Sequence, residues 1–464
     1  VEISHCSSFS LRRLSFFFSG SFRKILNFLN FLRRMKVNLF FCFLTFFMMV
    51  LRRSESSSPE QIHIAFGNDE SEMTVSWASN DTEVAFVSYG IDKNELSMSK
   101  NGTTQTYNAG GWKGYLHHAM MSGLKPSTTY FYRVNDASEI FSFRTKPTKN
   151  SGKPVRIVAY GDMGTPGDVH GPGANYTVEF CESLDDLDFV LHVGDIPYDK
   201  GDEFVWDHFF RGVQGYASNV PYMVCPGNED HAYDFVGYLS RFRMPGSKSV
   251  NSSWFYSYDY SFVHVISIST EYISREPGSE QYEFLENDLR SVNRTLYRSF
   301  LFFLPYHTYF FSLSTGTETP FVIMIGHRPL YCSSNDYYDC NMWAPRARET
   351  LEPLLSKYNV DLYICGHVHS YERTYPVLNG TRVSEVYENP NATTHVMVGG
   401  AGAGLSKTWS HDQPEWSASR IIDYAVGVID VPNATTMHWK LVSTHTSGID
   451  GEGEVLDEIT ITRN

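Results

Sequence analysis

Positive charge is scarce over most of this chain. The sequence carries 38 Lys and Arg residues against 52 Asp and Glu residues, a formal net charge of −14. Residues 1–53 hold nine basic residues and one acid, a net +8, so the rest of the chain carries −22. This balance excludes a general nucleic-acid binder, which needs a basic surface. An anionic substrate would need a local source of positive charge, such as bound metal.

The amino-terminal hydrophobic run is short for a membrane span. LFFCFLTFFMMVL (39–51), shortly after Met35, has thirteen residues, the length of a signal-peptide core. We predict a signal peptide at 35–53, and interpret 1–34 as an extension of the gene model. A signal anchor stays open, because Arg52 and Arg53 follow and no small-x-small cleavage site is evident. No stable membrane span is expected.

A second apolar segment, 296–315, contains no acid. Pro305 and His307 near its centre argue against a spanning helix. The segment joins a predicted helix to a predicted strand, and the flanking pattern does not require it. We predict an insertion, with a retained intron or a functional hydrophobic lid as alternatives.

Cysteines are few, and glycosylation sequons are many. Of seven cysteines, Cys6 and Cys42 precede the mature chain, and Cys332 and Cys340 are close enough for a local disulfide. The others are expected to be buried thiols. Eight Asn-x-Ser/Thr sequons and the signal predict a secreted, extracellular or lysosomal glycoprotein. The sequon residues are Asn80, Asn101, Asn175, Asn251, Asn293, Asn379, Asn391 and Asn433.

The order of strand-like and helix-like runs predicts two kinds of domain. Residues 57–147 contain short alternating runs separated by Gly, Asn and Asp, typical of an all-β sandwich. Beyond a polar linker, 154–380 alternates apolar strand-like runs with helical stretches, which predicts an α/β layered domain. Residues 381–464 return to β character and are predicted to complete that domain.

Metal-ligating side chains follow five of the strand-like runs in the second domain. Ligand sites in open α/β sheets lie beyond the carboxyl ends of strands. Each motif alone is weak, because a Gly-Asp or a His after a strand is common in turns. Together they give two carboxylates, a phenol, an amide and three imidazoles: Asp162, Asp195, Tyr198, Asn228, His327, His367 and His369.

This donor set indicates two metal ions that share one carboxylate. Carboxylate and phenolate oxygens suit Fe³⁺, while imidazole and amide suit Zn²⁺, Fe²⁺ or Mn²⁺. Tyr198 is the informative residue, because ionising a phenol near neutral pH requires a strongly acidic metal such as Fe³⁺.

The motifs GDMG, GDIPY, GNE, GHRPLY and GHVH, in this order and spacing, resemble those of the purple acid phosphatases, within the metallophosphoesterases. The resemblance covers about residues 59–445. It implies two packed sheets flanked by helices, preceded by an all-β fibronectin-III-like sandwich. It also implies Fe³⁺ on Asp162, Asp195, Tyr198 and His369, and a divalent metal on Asp195, Asn228, His327 and His367. The implied activity is acid hydrolysis of small phosphate monoesters by attack of metal-bound hydroxide.

The motif CPGNEDH departs from the family at one position. The family has histidine after the asparagine, where it contacts phosphate, but this chain has Glu229. Glu229 could act as a general acid when protonated, His231 could replace the lost imidazole, or turnover could be slow. An ionised Glu229 would repel a phosphate dianion, so we predict an acidic optimum.

Two rival functions stay open at this point. The same centre could act on diesters or pyrophosphates, or the protein could be a phosphate-binding metalloglycoprotein with little catalysis. The natural substrate, the second metal and the oligomeric state are left open.

Several other residues are assigned structural roles. His192 and His264 lie in apolar strand-like runs and are expected in the core. His117 and His118 lack ligand spacing and are expected at the surface or in loops. Glu372 and Arg373, which resemble the family after GHVHSY, are expected to pair and brace the histidine loop.

Overall fold

The computed structural model describes most of the chain beyond residue 58. It covers residues 59–463 except 82–83, 149–150, 247–252, 272–274, 293–299, 305–306, 312–320, 336–337, 411 and 447–452. The predicted extension at 1–34 and signal peptide at 35–53 therefore lie outside the described residues. Within the described ranges, no helix is long and apolar enough to cross a membrane.

The first eight strands form two antiparallel four-stranded sheets, in the orders β1-β2-β6-β5 and β4-β3-β7-β8. Side chains alternate between buried and less buried along β7, as expected for a sheet with one face in a core. The strands are β1 (Glu60–Phe66), β2 (Glu72–Ser79), β3 (Phe86–Gly90), β4 (Met98–Asn101), β5 (Thr103–Gln105), β6 (Tyr115–Ser122), β7 (Thr129–Val134) and β8 (Phe141–Arg144).

The following segments contain five helices and seventeen strands within the described ranges. The helices are α1 (Ala174–Ser183), α2 (Phe204–Ala217), α3 (Ala232–Arg241), α4 (Glu280–Ser291) and α5 (Asp339–Lys357). The strands are β9 (Val155–Tyr160), β10 (Phe189–His192), β11 (Tyr222–Val224), β12 (Tyr256–Tyr260), β13 (Val263–Ser267), β14 (Phe300–Leu304), β15 (His307–Phe311), β16 (Phe321–Ile325), β17 (Leu362–Cys365), β18 (Tyr371–Thr374), β19 (Val377–Leu378), β20 (Thr381–Arg382), β21 (Thr394–Val398), β22 (Ser417–Ile421), β23 (Ala425–Asn433), β24 (Thr436–Ser443) and β25 (Val455–Thr462).

Most of these strands form two mixed sheets. The first has the order β11-β10-β9-β23-β24-β25, and the second β12-β13-β16-β17-β21-β18-β22. Strands β9 to β11 run parallel, as do β13, β16, β17 and β21. The carboxy-terminal strand β23 pairs with β9 in antiparallel orientation, so the tail of the chain completes the first sheet.

The two sheets pack face to face, and helices cover the outer face of the second sheet. Along β16, Phe321, Ile323 and Ile325 join the core shared with the first sheet, while Val322 and Met324 pack with α4 and α5. This alternation follows from the two-residue period of a strand that is buried on both faces. The predicted fold class, a layered α/β domain behind an all-β sandwich, is confirmed. Within the predicted insertion, β14 and β15 pair as an antiparallel hairpin.

A buried group of charged and aromatic side chains, here called the interface cluster, joins the sandwich to the layered domain. Arg241 on α3 lies 2.9 Å from Asp207 and 4.0 Å from Glu203, and its side chain is 1% exposed. The sandwich contributes Tyr107, which donates to Glu203 over 2.8 Å, and Trp112, whose indole N–H donates to Asp207 over 3.0 Å. A buried charge needs such partners, because it has lost its hydration.

The surface or loop position expected for His117 and His118 is wrong. Both lie on β6 and are buried. His117 lies between the hydroxyls of Ser79 and Thr104, and His118 lies 3.0 Å from the carbonyl of Ser240 across the domain interface. Packing between domains decides this position, and the spacing of the histidines does not reveal it.

The core positions expected for His192 and His264 are confirmed, and His264 forms a buried ion pair on each side. Its ring nitrogens lie 2.7 Å from Asp259 and 2.8 Å from Asp288. Burial alone would lower the pKa of His264, but hydrogen bonds and charges from both carboxylates outweigh it and raise the pKa to about 9. Because this lies above the ordinary value of 6.5, the stabilisation is fully present below pH 6.5. It is lost as the pH rises through about 9.

Replacing this histidine should therefore destabilise the protein in a pH-dependent way. We expect His264→Gln to lower the free energy of unfolding by roughly 2–3 kcal/mol in mildly acidic solution and by less in alkaline solution. Urea unfolding of both proteins on each side of the pKa measures this difference. His438→Gln, at a half-buried histidine near a threonine hydroxyl, is the control. A difference that stays constant with pH would contradict the assignment.

Candidate metal centre

The site lies where the carboxyl ends of parallel strands from the two sheets meet. The N–H of Gly161, after β9, donates to the carbonyl of Val398 at the end of β21. The N–H of His367, after β17, donates to the carboxylate of Asp162 over 2.7 Å. Parallel strands in both sheets point their carboxyl ends at this edge, so polar residues that follow distant strands come together.

Four of the predicted ligands have backbones in the left-handed region. The φ angles are +60° at Asp162, +53° at Asp195, +59° at Tyr198 and +72° at His367. Such a conformation costs about 1–2 kcal/mol per non-glycine residue and persists only where the surroundings enforce it. Strain of this kind clusters at functional sites, and here it falls on residues singled out by their chemistry.

The first donor group contains Asp195, His327 and His367, whose ligating atoms all lie within 4.8 Å of one another. The amide oxygen of Asn228 lies 3.1 Å from Nε2 of His327 and 2.8 Å from Nδ1 of His367. The carboxylate of Asp195 lies 3.3 Å from Nε2 of His327. One carboxylate, one amide and two imidazoles therefore face a common point.

The second donor group contains Asp162, Asp195 and His369, again within 4.8 Å of one another. The hydroxyl of Tyr198 lies 2.8 Å from Nε2 of His369 and 3.3 Å from Oδ1 of Asp162. Nε2 of His369 is 3.5 Å from the same Asp162 oxygen. Asp195 belongs to both groups.

Outer hydrogen bonds orient the three imidazoles. Nδ1 of His327 lies 2.9 Å from the carbonyl of Val193, and Nδ1 of His369 lies 2.7 Å from that of Gly404. A carbonyl only accepts, so both Nδ1 atoms carry the proton, and a neutral ring then presents the lone pair of Nε2 to the centre. Nε2 of His367 lies 2.8 Å from Asp339, which leaves Nδ1 facing the centre.

The electrostatics of the centre call for added positive charge. Burial raises the pKa of Asp162 well above its usual range, and the neighbouring Asp195 adds to the rise. Burial also acts to raise the pKa of Asp195, but His327 and the N–H of Glu229 lower it overall. Burial alone would lower the pKa of His327, whereas Asp195 and Asp162 raise it to about 10. A proton on His327 thus balances the carboxylates as a cation would.

The spacing of the donors fits two bound cations. A cation with ligands at about 2.0–2.3 Å holds neighbouring donor atoms roughly 3 Å apart. The close donor pairs in the two groups are 2.8–3.5 Å apart, and the His and Asp ligand atoms of each group all lie within 4.8 Å of one another. Three of the four donors in the second group are hard oxygens, whereas the first group has two oxygens and two imidazoles, so the two positions suit different metals.

Close backbone approach fixes the loops that carry the donors. A Cβ on Gly227 would lie 2.1 Å from the backbone nitrogen of Asp195, so only glycine fits there. The buried carboxylate of Asp230 accepts hydrogen bonds from the backbone N–H groups of Asp195, Ile196 and Gly227. Asp230 therefore ties the loop after β10 to the loop after β11.

Comparison with known proteins agrees with this geometry. Family models match along the chain: "Purple acid Phosphatase, N-terminal domain" at 59–145, "Calcineurin-like phosphoesterase" at 155–371, and "Iron/zinc purple acid phosphatase-like protein C" at 392–458. Acid phosphatase type 7 of Mus musculus is 31% identical, with 92% of this chain and 96% of that protein covered. The chain belongs to the purple acid phosphatase family.

Two further members of the purple acid phosphatase family are similar to this chain. The solved structure of a purple acid phosphatase from yellow lupin (Lupinus luteus) seeds matches with a TM-score of 0.77 and 27% identity, covering 88% of this chain and 75% of that one. "Probable inactive purple acid phosphatase 1" of Arabidopsis thaliana is 30% identical, covering 88% and 70%. The family supports a phosphoesterase, but includes members named as inactive.

All seven ligands predicted for a purple acid phosphatase centre lie together in the structure. Glu229 lies beside them: its N–H donates to Asp195 over 2.7 Å, and its side chain accepts from the amide of Asn228 over 3.2 Å. Its carboxylate also pairs with the ammonium of Lys200. His231 is exposed, and its Nδ1 contacts the backbone carbonyl of Asn228.

Sequence reasoning missed three side chains that lie beside the predicted ligands. Asp339 contacts His367, and the guanidinium of Arg328 contacts Asp339 while bonding Glu271 through three hydrogen bonds of 2.8–3.0 Å. Lys200 is the third. Arg328 directly follows the predicted ligand His327, which is a signal that the sequence does offer. Asp339 and Lys200 depend on loop paths that no motif specifies.

A disulfide joins Cys332 and Cys340, whose Cα atoms are 5.2 Å apart, which confirms the local pairing. It closes the segment that carries Asp339 to the centre. The other cysteines of the described chain, Cys181, Cys225 and Cys365, are buried thiols as expected.

The expected pairing of Glu372 with Arg373 is wrong. Neighbours on strand β18 point to opposite faces of the sheet, so the two side chains cannot meet. Glu372 instead accepts hydrogen bonds from Ser333 and Ser417, and Arg373 pairs with Asp457.

Proposed function

We propose that this protein hydrolyses small phosphate monoesters under acidic conditions at a centre of Fe³⁺ and one divalent metal, Zn²⁺, Fe²⁺ or Mn²⁺. Fe³⁺ would be held by the oxygen-rich group that includes Asp162, Tyr198 and His369. The divalent metal would be held by Asn228, His327 and His367. The observation that supports this most is that Asp195 belongs to both donor groups.

When bound, such a pair of cations lowers the pKa of a coordinated water and binds the phosphoryl oxygens. The chain's own residues set the conditions for this chemistry. Two carboxylates and one phenolate leave the pair positive overall, because Asn228 contributes no charge. Val193, Gly404 and Asp339 fix the three imidazoles, so the donors need little rearrangement on binding.

Tyr198 provides a direct test of the metal assignment. Iron-loaded protein should absorb visible light through charge transfer from the phenolate to Fe³⁺, and Tyr198→Phe should lose this band while keeping its ring beside His369. Tyr233→Phe, which removes an exposed hydroxyl bonded to Gly201, is the matched control and should keep the band. A coloured Tyr198→Phe protein would contradict the assignment.

Activity measurements test the substrate class. Metal-loaded protein should hydrolyse an aryl phosphate monoester faster than the corresponding diester, and faster at acidic than at neutral pH. A preference for the diester or for pyrophosphate would favour the alternative phosphoesterase. If none of the three substrates is hydrolysed, phosphate binding with little catalysis becomes the supported function.

A second function, binding of phosphate with little catalysis, is favoured by one specific observation. Glu229 occupies the position where the family has a histidine that contacts phosphate, and His231 contacts backbone on the exposed surface. Metal-loaded protein that binds inorganic phosphate but turns over no ester at any pH would support this function.

We further propose that the protein is secreted or lysosomal. A disulfide between Cys332 and Cys340 suits an oxidising compartment. The six sequon asparagines within the described ranges, Asn80, Asn101, Asn175, Asn379, Asn391 and Asn433, are all exposed. Asn251 and Asn293 lie outside those ranges, and glycosylation at all eight stays a prediction.

A further inference from the structure

Lys200 is a cation beside the proposed phosphatase centre and lies outside the sequence motifs quoted above. It lies two residues after Tyr198, and its ammonium is 5.2 Å from the centre of the Tyr198 ring. Its side chain is 47% exposed, so solvent and substrate can reach it. The protein is strongly acidic overall, which makes a lysine at this position notable for an anionic substrate.

The turn that carries Lys200 is firmly held. Lys200 has a φ of +50°, in the left-handed region. The preceding residue, Asp199, is buried, and its carboxylate accepts from the N–H of Gly201 over 2.8 Å and from the indole of Trp206 over 2.7 Å. The backbone therefore presents Lys200 from a fixed point, although the side chain itself is long.

Glu229 connects this ammonium to both donor groups. The backbone N–H of Glu229 donates to Asp195, the shared carboxylate, and one of its side-chain oxygens accepts from Asn228. The other oxygen pairs with the ammonium of Lys200. Lys200 is thus one ion pair away from a residue that contacts two proposed ligands.

The ion pair with Lys200 changes the local charge at Glu229. A carboxylate alone at this position would repel a phosphate dianion, but a carboxylate that holds a lysine brings a positive charge to the same place. An ammonium has three N–H donors, and binding one carboxylate oxygen leaves donors for phosphoryl oxygens.

We propose that Lys200 binds the phosphoryl oxygens of the substrate and that Glu229 is the positioning residue that holds the ammonium there. This inference rests on the proposed function, because it places a phosphate group at the two cations. Lys200 takes the place of the positive charge that the family's histidine would supply, and it does so from a different loop.

Lys200→Met tests the inference, since methionine keeps most of the stem and removes the charge. We expect KM for an aryl phosphate, and Kd for inorganic phosphate bound to the metal-loaded protein, to rise about tenfold, the usual effect of one charge-assisted hydrogen bond. We expect kcat to change by less than about threefold, because the interaction is made with bound substrate and transition state alike. Lys200→Arg should restore most of the binding.

Glu229→Gln separates positioning from acid catalysis. If Glu229 only holds Lys200, the variant raises KM and the phosphate Kd with a smaller change in kcat. If Glu229 protonates the leaving group, kcat falls instead and phosphate binding is unchanged, which would overturn the positioning role.

Lys357→Met is the matched control, because Lys357 is 57% exposed and pairs with Glu286 between helices α5 and α4, outside both donor groups. It should leave KM, kcat and the phosphate Kd unchanged. The inference is overturned if Lys200→Met binds phosphate as the wild-type protein does. Wild-type protein that binds phosphate without hydrolysing it overturns the proposed function alone, since the phosphate titration of Lys200→Met still decides the role of Lys200.

Discussion

Asp195→Asn should abolish binding of at least one of the two cations and reduce phosphate-ester hydrolysis by at least about 100-fold. Losing a residue that only orients a ligand already costs about 10–100-fold in metal affinity or activity, and Asp195 is shared by both donor groups. Asparagine has the same shape and keeps an oxygen to accept the N–H of Glu229, but it lacks the negative charge that would bridge two cations.

Metal analysis of the purified variant, together with its rate on an aryl phosphate, measures the effect. Circular dichroism shows whether the fold is kept. Asp186→Asn is the control, because this aspartate is 65% exposed and pairs with Arg156 away from the centre. A variant that retains both cations and normal turnover would remove the basis for a shared ligand.

Arg241→Met should lower the free energy of unfolding by about 3–5 kcal/mol, because it leaves the carboxylates of the interface cluster without their cation. The Arg241 side chain is 1% exposed and lies 2.9 Å from Asp207. It also lies beneath the rings of Tyr107, Trp112 and Trp206, with ring centres 4.9–5.6 Å from its guanidinium carbon. Methionine fills much of the volume but cannot replace the charge.

The chain offers a matched control for this prediction. Arg211 on α2 pairs with Glu60 on β1, so it also joins the layered domain to the sandwich, but its side chain is 45% exposed. Exposed ion pairs contribute about 0–1 kcal/mol, so Arg211→Met should have a small effect. Urea unfolding of the two variants compares them, and equal losses would show that burial of the cluster is not decisive.

The sequence predicted that the seven proposed ligands would lie close together, because their positions follow from a simple rule. Each lies just beyond the carboxyl end of a strand, and the parallel strands of both sheets deliver those ends to one place. Residues separated by more than two hundred positions, such as Asp162 and His369, could therefore be assigned to one site. The apolar strand-like runs around His192 and His264 likewise predicted their burial.

The same reasoning failed where contacts depend on how loops and domains pack. Lys200 pairs with Glu229 from a backbone in the left-handed region. A lysine rarely adopts this conformation, so the sequence does not predict it. The contacts of His118 and Arg241 cross the boundary between two domains, and no local pattern predicts which surfaces meet. Glu372 and Arg373 are neighbours of opposite charge in the sequence, so pairing was expected. Both lie on strand β18, however, and neighbouring side chains of a strand point to opposite faces of the sheet.

Each donor group draws on both sheets: Asp162, Asp195, Tyr198 and Asn228 follow strands of the first, and His327, His367 and His369 follow strands of the second. A cation bound to either group would therefore connect the two sheets, which are otherwise held together mainly by apolar packing. Metal binding and the packing of the two sheets are therefore thermodynamically linked. Separating the sheets would release the cations, and binding of the cations would stabilise the protein against unfolding.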